Sequence, residues 1–251
     1  MSKLNNKVAI VTGASKGIGA SIAQYFAAEG AKVVVNYASS KEDAEKVVKA
    51  ITYNGGIAIA VQADVSVEAD VTKLFEATKN AFGTLDILVN NAGIYQYAPI
   101  EEALEESFHR HFNTNVLGSL FSIQAALKLF GEKGGNIINI SSGASNTPLP
   151  TGAVYSATKA ALDAITISLS KEFSGRNIRI NSILPGVVET EGSHSAGFIG
   201  SDFEVKLVAT TPLGRTGQPE DIAKVAVFLA SDDAGWITGE KISVSGGIYG
   251  I

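Results

Sequence analysis

Val8-Ala-Ile-Val-Thr-Gly-Ala-Ser-Lys-Gly-Ile-Gly19 decides the fold. The run Val8 to Val11 is apolar without alternation, which suits a short strand buried on both faces. Gly13, Gly17 and Gly19 follow. From Ile18 to Glu29 the apolar residues recur three and four apart, as on a helix, and Gly30 stands where a C-cap belongs. Glycines at such a strand-helix junction let the backbone turn tightly and approach a pyrophosphate at the positive end of the helix dipole. The spacing Gly-x3-Gly-x-Gly differs from the more familiar Gly-x-Gly-x2-Gly, and plain turns also carry glycine triplets. Position at the first strand-helix junction therefore carries more weight than the pattern.

The same alternation continues along the chain. Strands are expected at Lys32 to Asn36, Ile57 to Val61, Leu85 to Asn90, Asn136 to Ile140, Ile178 to Ile183 and Lys241 to Val244. Helices are expected at Lys41 to Tyr53, Val67 to Phe82, one long stretch from Glu101 to Phe130, and around Tyr155 and Lys159. Nearly continuous apolar strands separated by helices predict one α/β domain spanning 1–251, a doubly wound parallel sheet of about seven strands with helices on both faces. No linker, repeat or low-complexity break interrupts it. Val188 to Leu213, rich in Gly, Ser and Thr, reads as a long irregular insertion and a candidate substrate lid.

Composition narrows the function classes. The 251 residues carry a net charge of −5, which gives no reason to expect nucleic acid or an anionic membrane as partner. There is no cysteine, so disulfides and thiolate metal sites are excluded. His109, His111 and His194 are scattered, and no ligand spacing suggests a metal. Met1 to Lys7 lacks the features of a signal peptide, and no apolar window approaches a membrane span, so a cytoplasmic protein is expected.

The end of the second strand selects the cofactor. An acid there would accept the adenosine ribose hydroxyls and repel a 2′-phosphate. Here Tyr37 is followed by Ala38, Ser39, Ser40 and Lys41, with no acid until Glu42. Lys16, Ser39, Ser40 and Lys41 can donate to a phosphate, so NADP(H) is favoured over NAD(H). Asp64 and Val65 close the third strand and Asn90-Asn-Ala-Gly93 the fourth, at strand ends that border the ligand crevice. Asp64 can serve as a turn residue or receive the adenine amino group.

Tyr155 and Lys159 fall one turn apart on one helix face. A phenol of pKa ~10 trades protons poorly at neutral pH, and a neighbouring ammonium lowers that value. Ser142, after the preceding strand, can hydrogen-bond a substrate oxygen and hold it toward the tyrosine. A hydride carried by a nicotinamide leaves the protein to supply orientation, polarisation and one proton. No Gly-x-Ser-x-Gly elbow appears, which argues against an acyl hydrolase.

From Lys7 onward the chain resembles the short-chain dehydrogenase/reductase family. The matching motifs are Thr12-Gly-x3-Gly-x-Gly19, Asp64-Val65, Asn90-Asn-Ala-Gly93, Asn115, Ser142, Tyr155-x3-Lys159 and Pro185-Gly186-x3-Thr190. The resemblance implies a Rossmann-type fold and a cofactor held by Gly13, Ser15, Lys16, Gly17, Ile18, Gly19, Tyr37, Ser39, Ser40, Asp64, Val65, Asn91, Ala92 and Gly93. It also implies that Asn115 holds a water in a proton relay, and that Tyr155 is the general acid of reduction. Lys159 would bind the nicotinamide ribose as well, and Pro185, Gly186, Val188 and Thr190 would line the nicotinamide. Members are commonly homotetramers, packing the helices around Glu101 to Phe130 and Tyr155 and the C-terminal strand. Gly235-Trp-Ile-Thr-Gly239 and the nonpolar Ile248-Tyr-Gly-Ile251 resemble that interface, with Ser245 where an acid is usual.

Tyr95, Tyr97, Leu149, Phe198 and Phe203 give the expected substrate walls few charges, so a small or medium uncharged ketone or its alcohol is expected. The alternative is a 3-oxoacyl-[acyl-carrier-protein] reductase that docks an acidic carrier on Lys128, Lys133 and Arg176, a patch interrupted by Glu132. A catalytically silent nucleotide-binding sensor is a third reading.

Overall fold

Residues 2–248 are described by the computed structural model, and each apolar run read above forms a strand. They are β1 (Val8–Val11), β2 (Lys32–Tyr37), β3 (Ile57–Gln62), β4 (Ile87–Asn90), β5 (Gly135–Ile140), β6 (Ile178–Pro185) and β7 (Lys241–Val244). All are parallel, in the order β3-β2-β1-β4-β5-β6-β7, a Rossmann-type sheet. The last residues of the nonpolar ending, Tyr249 to Ile251, lie outside the described residues. Among the described residues no helix is long and apolar enough to cross a membrane.

Alternate strand residues feed opposite faces. Ala9 and Val11 of β1 join one core, which α1 (Gly17–Ala28), α2 (Lys41–Tyr53) and α9 (Pro219–Ala230) cover through Phe26, Val47 and Ile222. Val8 and Ile10 join the other, which α3 (Glu68–Phe82), α5 (Gly118–Leu129) and α6 (Ala153–Glu172) cover through Leu74, Ile123 and Leu169. Phe26 is fully buried, so truncating it to Ala would cost about 3–5 kcal/mol. Helix α1 stops where Gly30 adopts φ +88. Gly30 N–H then donates to Ala27 and Ala31 N–H to Phe26, closing the helix end as its sequence suggests.

Two stretches depart from the sequence reading. The single helix from Glu101 to Phe130 is broken: a 3₁₀ turn at Ile100–Glu102, then α4 (Glu105–Phe112), a π turn at Asn113–Leu117, then α5. Ala103 and Leu104 are extended, which cuts off the first piece. Gly118 follows the wider π turn because a Cβ there would stand 2.8 Å from Val65 Cγ2 and 3.0 Å from Val65 O. The insertion at 188–213 is not irregular either. It holds α7 (Glu191–Ser195) and α8 (Asp202–Thr210), started by the side chains of Thr190 and Ser201. Its Ser and Thr residues are helix caps as much as loop residues. A bridge between Val188 and Gly217 closes its base.

Candidate active site

The nucleotide end is built around Thr12. Its hydroxyl donates to Val89 O and accepts from the N–H groups of Asn91 and Ala92, each at 3.0 Å. Asn91 Nδ2 donates in return to Thr12 O at 2.9 Å and Gly13 O at 3.0 Å. The Asn90-Asn-Ala-Gly93 segment thus clamps the glycine turn onto the end of β4. A Cβ on Gly13 (φ +59) would meet Ala92 Cα at 2.8 Å, and one on Gly19 would meet Asn91 Nδ2 at 2.4 Å. Only glycine fits either place. Helix α1 begins at Gly17 with no side chain capping its amides and no acid in its first turn. Those open amides can hold an anion at the crevice between β1 and β4, where the strand order reverses.

Gly13, Ser15, Lys16, Gly17, Ile18, Gly19, Tyr37, Ser39, Ser40, Asp64, Val65, Asn91, Ala92, Gly93 and Thr190 line one cavity over this turn. The strand β2 carries on to Tyr37, and Asn36 accepts from Gly13 N–H while donating to Ala63 O. Asn36 is therefore a brace between three strand ends. Lys41 is not among the lining residues and pairs with Glu45 at 3.8 Å. Asp64 Oδ1 accepts from the backbone and hydroxyl of Ser66, so the turn role holds while the residue also faces the cavity. Thr114 and Glu191 line it too, and no motif marked them.

A second cavity adjoins the first, and Ile18, Asn91, Gly93, Ile94, Tyr95 and Thr190 line both. Ser142, Tyr155, Lys159, Pro185, Gly186 and Val188 belong to this second cavity. The shared helix α6 places Lys159 Nζ 5.8 Å from the centre of the Tyr155 ring. Lys159 is buried and donates to Ile140 O at 2.9 Å. Burial drives its ammonium down to about 8, against the opposing charge of Asp163. Ser142 caps a 3₁₀ turn at Gly143–Ser145, its Oγ accepting from Ala144 N–H at 3.1 Å.

Asn115 lines neither cavity. Its side chain accepts from Ile94 N–H at 2.8 Å and donates to Ile94 O at 2.9 Å and Thr158 Oγ1 at 3.0 Å. It ties the π turn to the loop after β4 and to α6. A Cβ on Gly93 would lie 3.3 Å from Asn115 Oδ1 and 3.4 Å from Lys159 Nζ, so Asn115 sits beside the lysine.

Tyr95, Tyr97, Leu149, Phe198 and Phe203 line the second cavity from the β4 loop, the β5 loop and the 188–213 insertion. Ring centroids lie 6.1 Å apart for Tyr95 and Tyr155, 5.9 Å for Tyr97 and Tyr155, and 5.3 Å for Tyr97 and Phe198. Among the described residues, none lining this cavity carries a formal charge apart from Lys159. The basic trio sits elsewhere. Lys128 and Lys133 precede β5 and Arg176 precedes β6, at the amino ends of strands whose carboxyl ends carry the cavity. A six-residue strand separates the two ends by about 20 Å, so this patch gives no docking surface beside the site.

A doubly wound sheet whose glycine turn opens onto a tyrosine-lysine helix is the arrangement of oxidoreductases that work with a nicotinamide dinucleotide. The comparisons agree with that class. A family described as enoyl-(acyl carrier protein) reductase matches residues 13–249. An uncharacterised oxidoreductase of Methylorubrum extorquens is 60% identical over 99% of this chain and all of its own. Versicolorin reductase of Emericella nidulans is 41% identical, covering 98% of this chain and 97% of its own. The crystal structure of the angucycline C-6 ketoreductase LanV with bound NADP is 38% identical, with a TM-score of 0.93, covering 99% of this chain and 97% of that one. This chain belongs to the short-chain dehydrogenase/reductase family.

Proposed function

We propose that this protein is an NADP(H)-dependent ketone reductase acting on uncharged substrates with a ring-bearing, apolar frame. The observation that carries the reading is the second cavity itself, where Ser142, Tyr155 and Lys159 meet a wall of aromatic rings with no carboxylate or guanidinium. Such a wall holds a substrate by contact area and ring packing. Two relatives with comparable chain coverage are named for versicolorin and angucycline reduction, both of which fit it.

The nucleotide cavity fits a dinucleotide because its glycines leave room that a Cβ would fill and the amides of α1 are uncapped. Gly13, Gly17 and Gly19 would hold the pyrophosphate, and Lys16, Ser39 and Ser40 the 2′-phosphate beside Tyr37. When bound, the nicotinamide supplies the hydride that reduces the carbonyl carbon. Ser142 and Tyr155 hold the carbonyl oxygen, and Tyr155 gives it the proton that completes the alcohol. The Lys159 charge favours the phenolate left behind, and its ammonium would hold the cofactor ribose. Asn115 steadies the lysine's surroundings and places a relay water. Pro185, Gly186, Val188 and Thr190 wall the nicotinamide, and α7 and α8 serve as the lid.

We assign the chain to the cytoplasm and to a homotetramer, the assembly the family resemblance implies. Phe108 on α4, Leu117 on the π turn and Ile167 on α6 form an exposed apolar set that suits such packing.

Absorbance at 340 nm tests the function with NADPH and NADH against uncharged aryl and polycyclic ketones, keto acids and a 3-oxoacyl thioester. NADPH loss with the uncharged ring ketones is expected, with kcat/KM at least tenfold above the keto acids. Equal turnover of a keto acid would sink the substrate reading, and preference for the thioester would favour the acyl-carrier alternative. Tyr37→Asp should move the NADPH to NADH preference toward NADH by about 10–100-fold, through repulsion of the 2′-phosphate. An unchanged ratio would show that this strand end does not select the cofactor.

A further inference from the structure

One buried charge has no part in that chemistry. Asp163 follows Lys159 by one turn on α6 and is 4% exposed. A carboxylate withdrawn from water is costly unless it is paired and hydrogen-bonded, so its retention here calls for a reason. Its partners bind it to the segment that follows β5. The Ser145 hydroxyl donates to Asp163 Oδ2 at 2.6 Å, the length of a charge-assisted bond. Lys241 Nζ, from β7, stands 3.8 Å from the same oxygen and donates to Asn146 Oδ1 at 2.8 Å. Asp163 Oδ1 is buried with no hydrogen-bond partner among the described residues.

Ser145 ends the 3₁₀ turn that Ser142 begins. The turn is therefore fastened at its far end to α6 by Asp163, and one residue later to β7 by Lys241. Ser142 stands on a segment with two anchors, one of them on the helix that carries Tyr155 and Lys159. An apolar side chain at 163 would fill the space without joining these elements. We propose that Asp163 is a positioning residue that pins the Ser142 turn to the Tyr155 helix, setting the separation of the two groups that hold the carbonyl oxygen. The proposal rests on the ketone-reductase reading above. Asp163 is not among the residues lining the cavity and does not touch substrate.

The same carboxylate is the counter-charge of Lys159, opposing the effect of burial. The other groups around Lys159 are the Ile140 carbonyl of β5, Asn115 of the π turn and Gly93 after β4, all uncharged. Tyr155 shares its helix, Tyr95 and Tyr97 line the same cavity, and Lys241 of β7 stands 3.8 Å from Asp163. Loss of the Asp163 charge should let Lys159 release its proton at lower pH.

Two variants separate positioning from charge: Asp163→Asn keeps an acceptor for Ser145 but drops the charge, and Ser145→Ala keeps the charge but drops the fastening. Ketone turnover and NADPH fluorescence titrations are run from pH 6 to 10, with Tm recorded for each protein. Ser145→Ala, which drops the fastening, should lose about tenfold in kcat with KM within about twofold, since small misplacements of reacting groups are costly, and Asp163→Asn, which keeps the acceptor, should lose clearly less. The pH midpoint at which NADPH binding weakens should fall by about one unit in Asp163→Asn and stay in Ser145→Ala. Wild-type kcat in both variants would overturn the positioning role, and a lowered Tm with unchanged kcat and midpoint would leave only a structural one. Should Asp163→Asn not fold, Ser145→Ala still decides the fastening by its kcat. A wild-type protein that binds NADPH but reduces no ketone would defeat the function reading, and the binding midpoints would then decide the Asp163 link without turnover.

Discussion

Lys159 shows what burying a single charged residue costs the fold. Burial takes its ammonium from an ordinary 10.5 to about 8. Below pH 8 the lysine is charged in both folded and unfolded chains, and the folded one bears the desolvation cost. Between 8 and 10.5 the folded lysine sheds its proton while the unfolded one keeps it, so this cost fades and stability rises with pH. The shift corresponds to about 3 kcal/mol. Methionine at this position never titrates, so the stability of Lys159→Met relative to wild type should be greatest at pH 7 and decline by about 2–3 kcal/mol by pH 10. Urea unfolding at both pH values measures this, and a difference independent of pH would refute the buried-charge cost. Tyr155→Phe should act differently. It removes one hydroxyl and little contact area, so kcat should drop by about 10²–10⁴-fold while the Kd for NADPH stays within about twofold. Retention of wild-type kcat would remove Tyr155 from the proton step. The side chains meeting at this cavity were legible in the chain because Tyr155 and Lys159 share one helix, where spacing fixes the face. Asp163 was not, because its meaning lies in Ser145, Asn146 and Lys241, contacts that no local pattern encodes.

At the scale of elements, the glycine turn is held by packing as much as by its own flexibility. Gly19 does not need a left-handed φ, and its constraint is space: a Cβ would stand 2.6 Å from Gly13 O and 2.4 Å from Asn91 Nδ2. Gly19→Ala should therefore push the turn off the β4 loop. A stability loss of about 1–3 kcal/mol is expected, with at least a tenfold rise in the Kd for NADPH. Chemical denaturation and fluorescence titration measure the two, and unchanged binding would show that the turn can shift without losing its cradle. The elements themselves followed from periodicity wherever an apolar run was short and bounded, and all seven strands fall where the runs predict. Breaks inside the Glu101 to Phe130 stretch did not show, because Ala103, Leu104 and the π turn carry no Pro or paired glycines to announce them. What sets the π turn is Asn115 gripping Ile94 and Gly118 pressing on Val65, both distant in sequence. The 188–213 insertion misled in the other direction. Its Ser and Thr residues resemble loop composition, yet Thr190 and Ser201 cap helices.

The whole molecule has an apolar surface that a lone chain leaves in water. Phe108, Leu117 and Ile167 lie on the exposed face of the α4 to α6 region, and Phe228 and Trp236 are exposed near the end of the chain. Scattered apolar residues are ordinary, but several on adjoining helices suit contact with other copies. A stable contact typically buries about 800 Å² on each partner. Trp236 is the only tryptophan of the chain and is fully exposed in it, which makes it a reporter. If the homotetramer forms through the segment after α9, its indole leaves water on assembly. Light scattering should then give four times the 26.1 kDa of one chain. Emission should lie to the blue of a water-exposed indole and move to the red on dilution into the dissociating range. Followed by light scattering, since the variant has no indole, Trp236→Ser should shift the midpoint of that dissociation to higher concentration by at least tenfold, the loss of a buried aromatic anchor being worth about 2 kcal/mol or more. A 26.1 kDa particle with water-exposed emission would rule out the tetramer. A tetramer with water-exposed emission would keep the assembly and move its contacts away from Trp236, onto the Phe108 and Ile167 face.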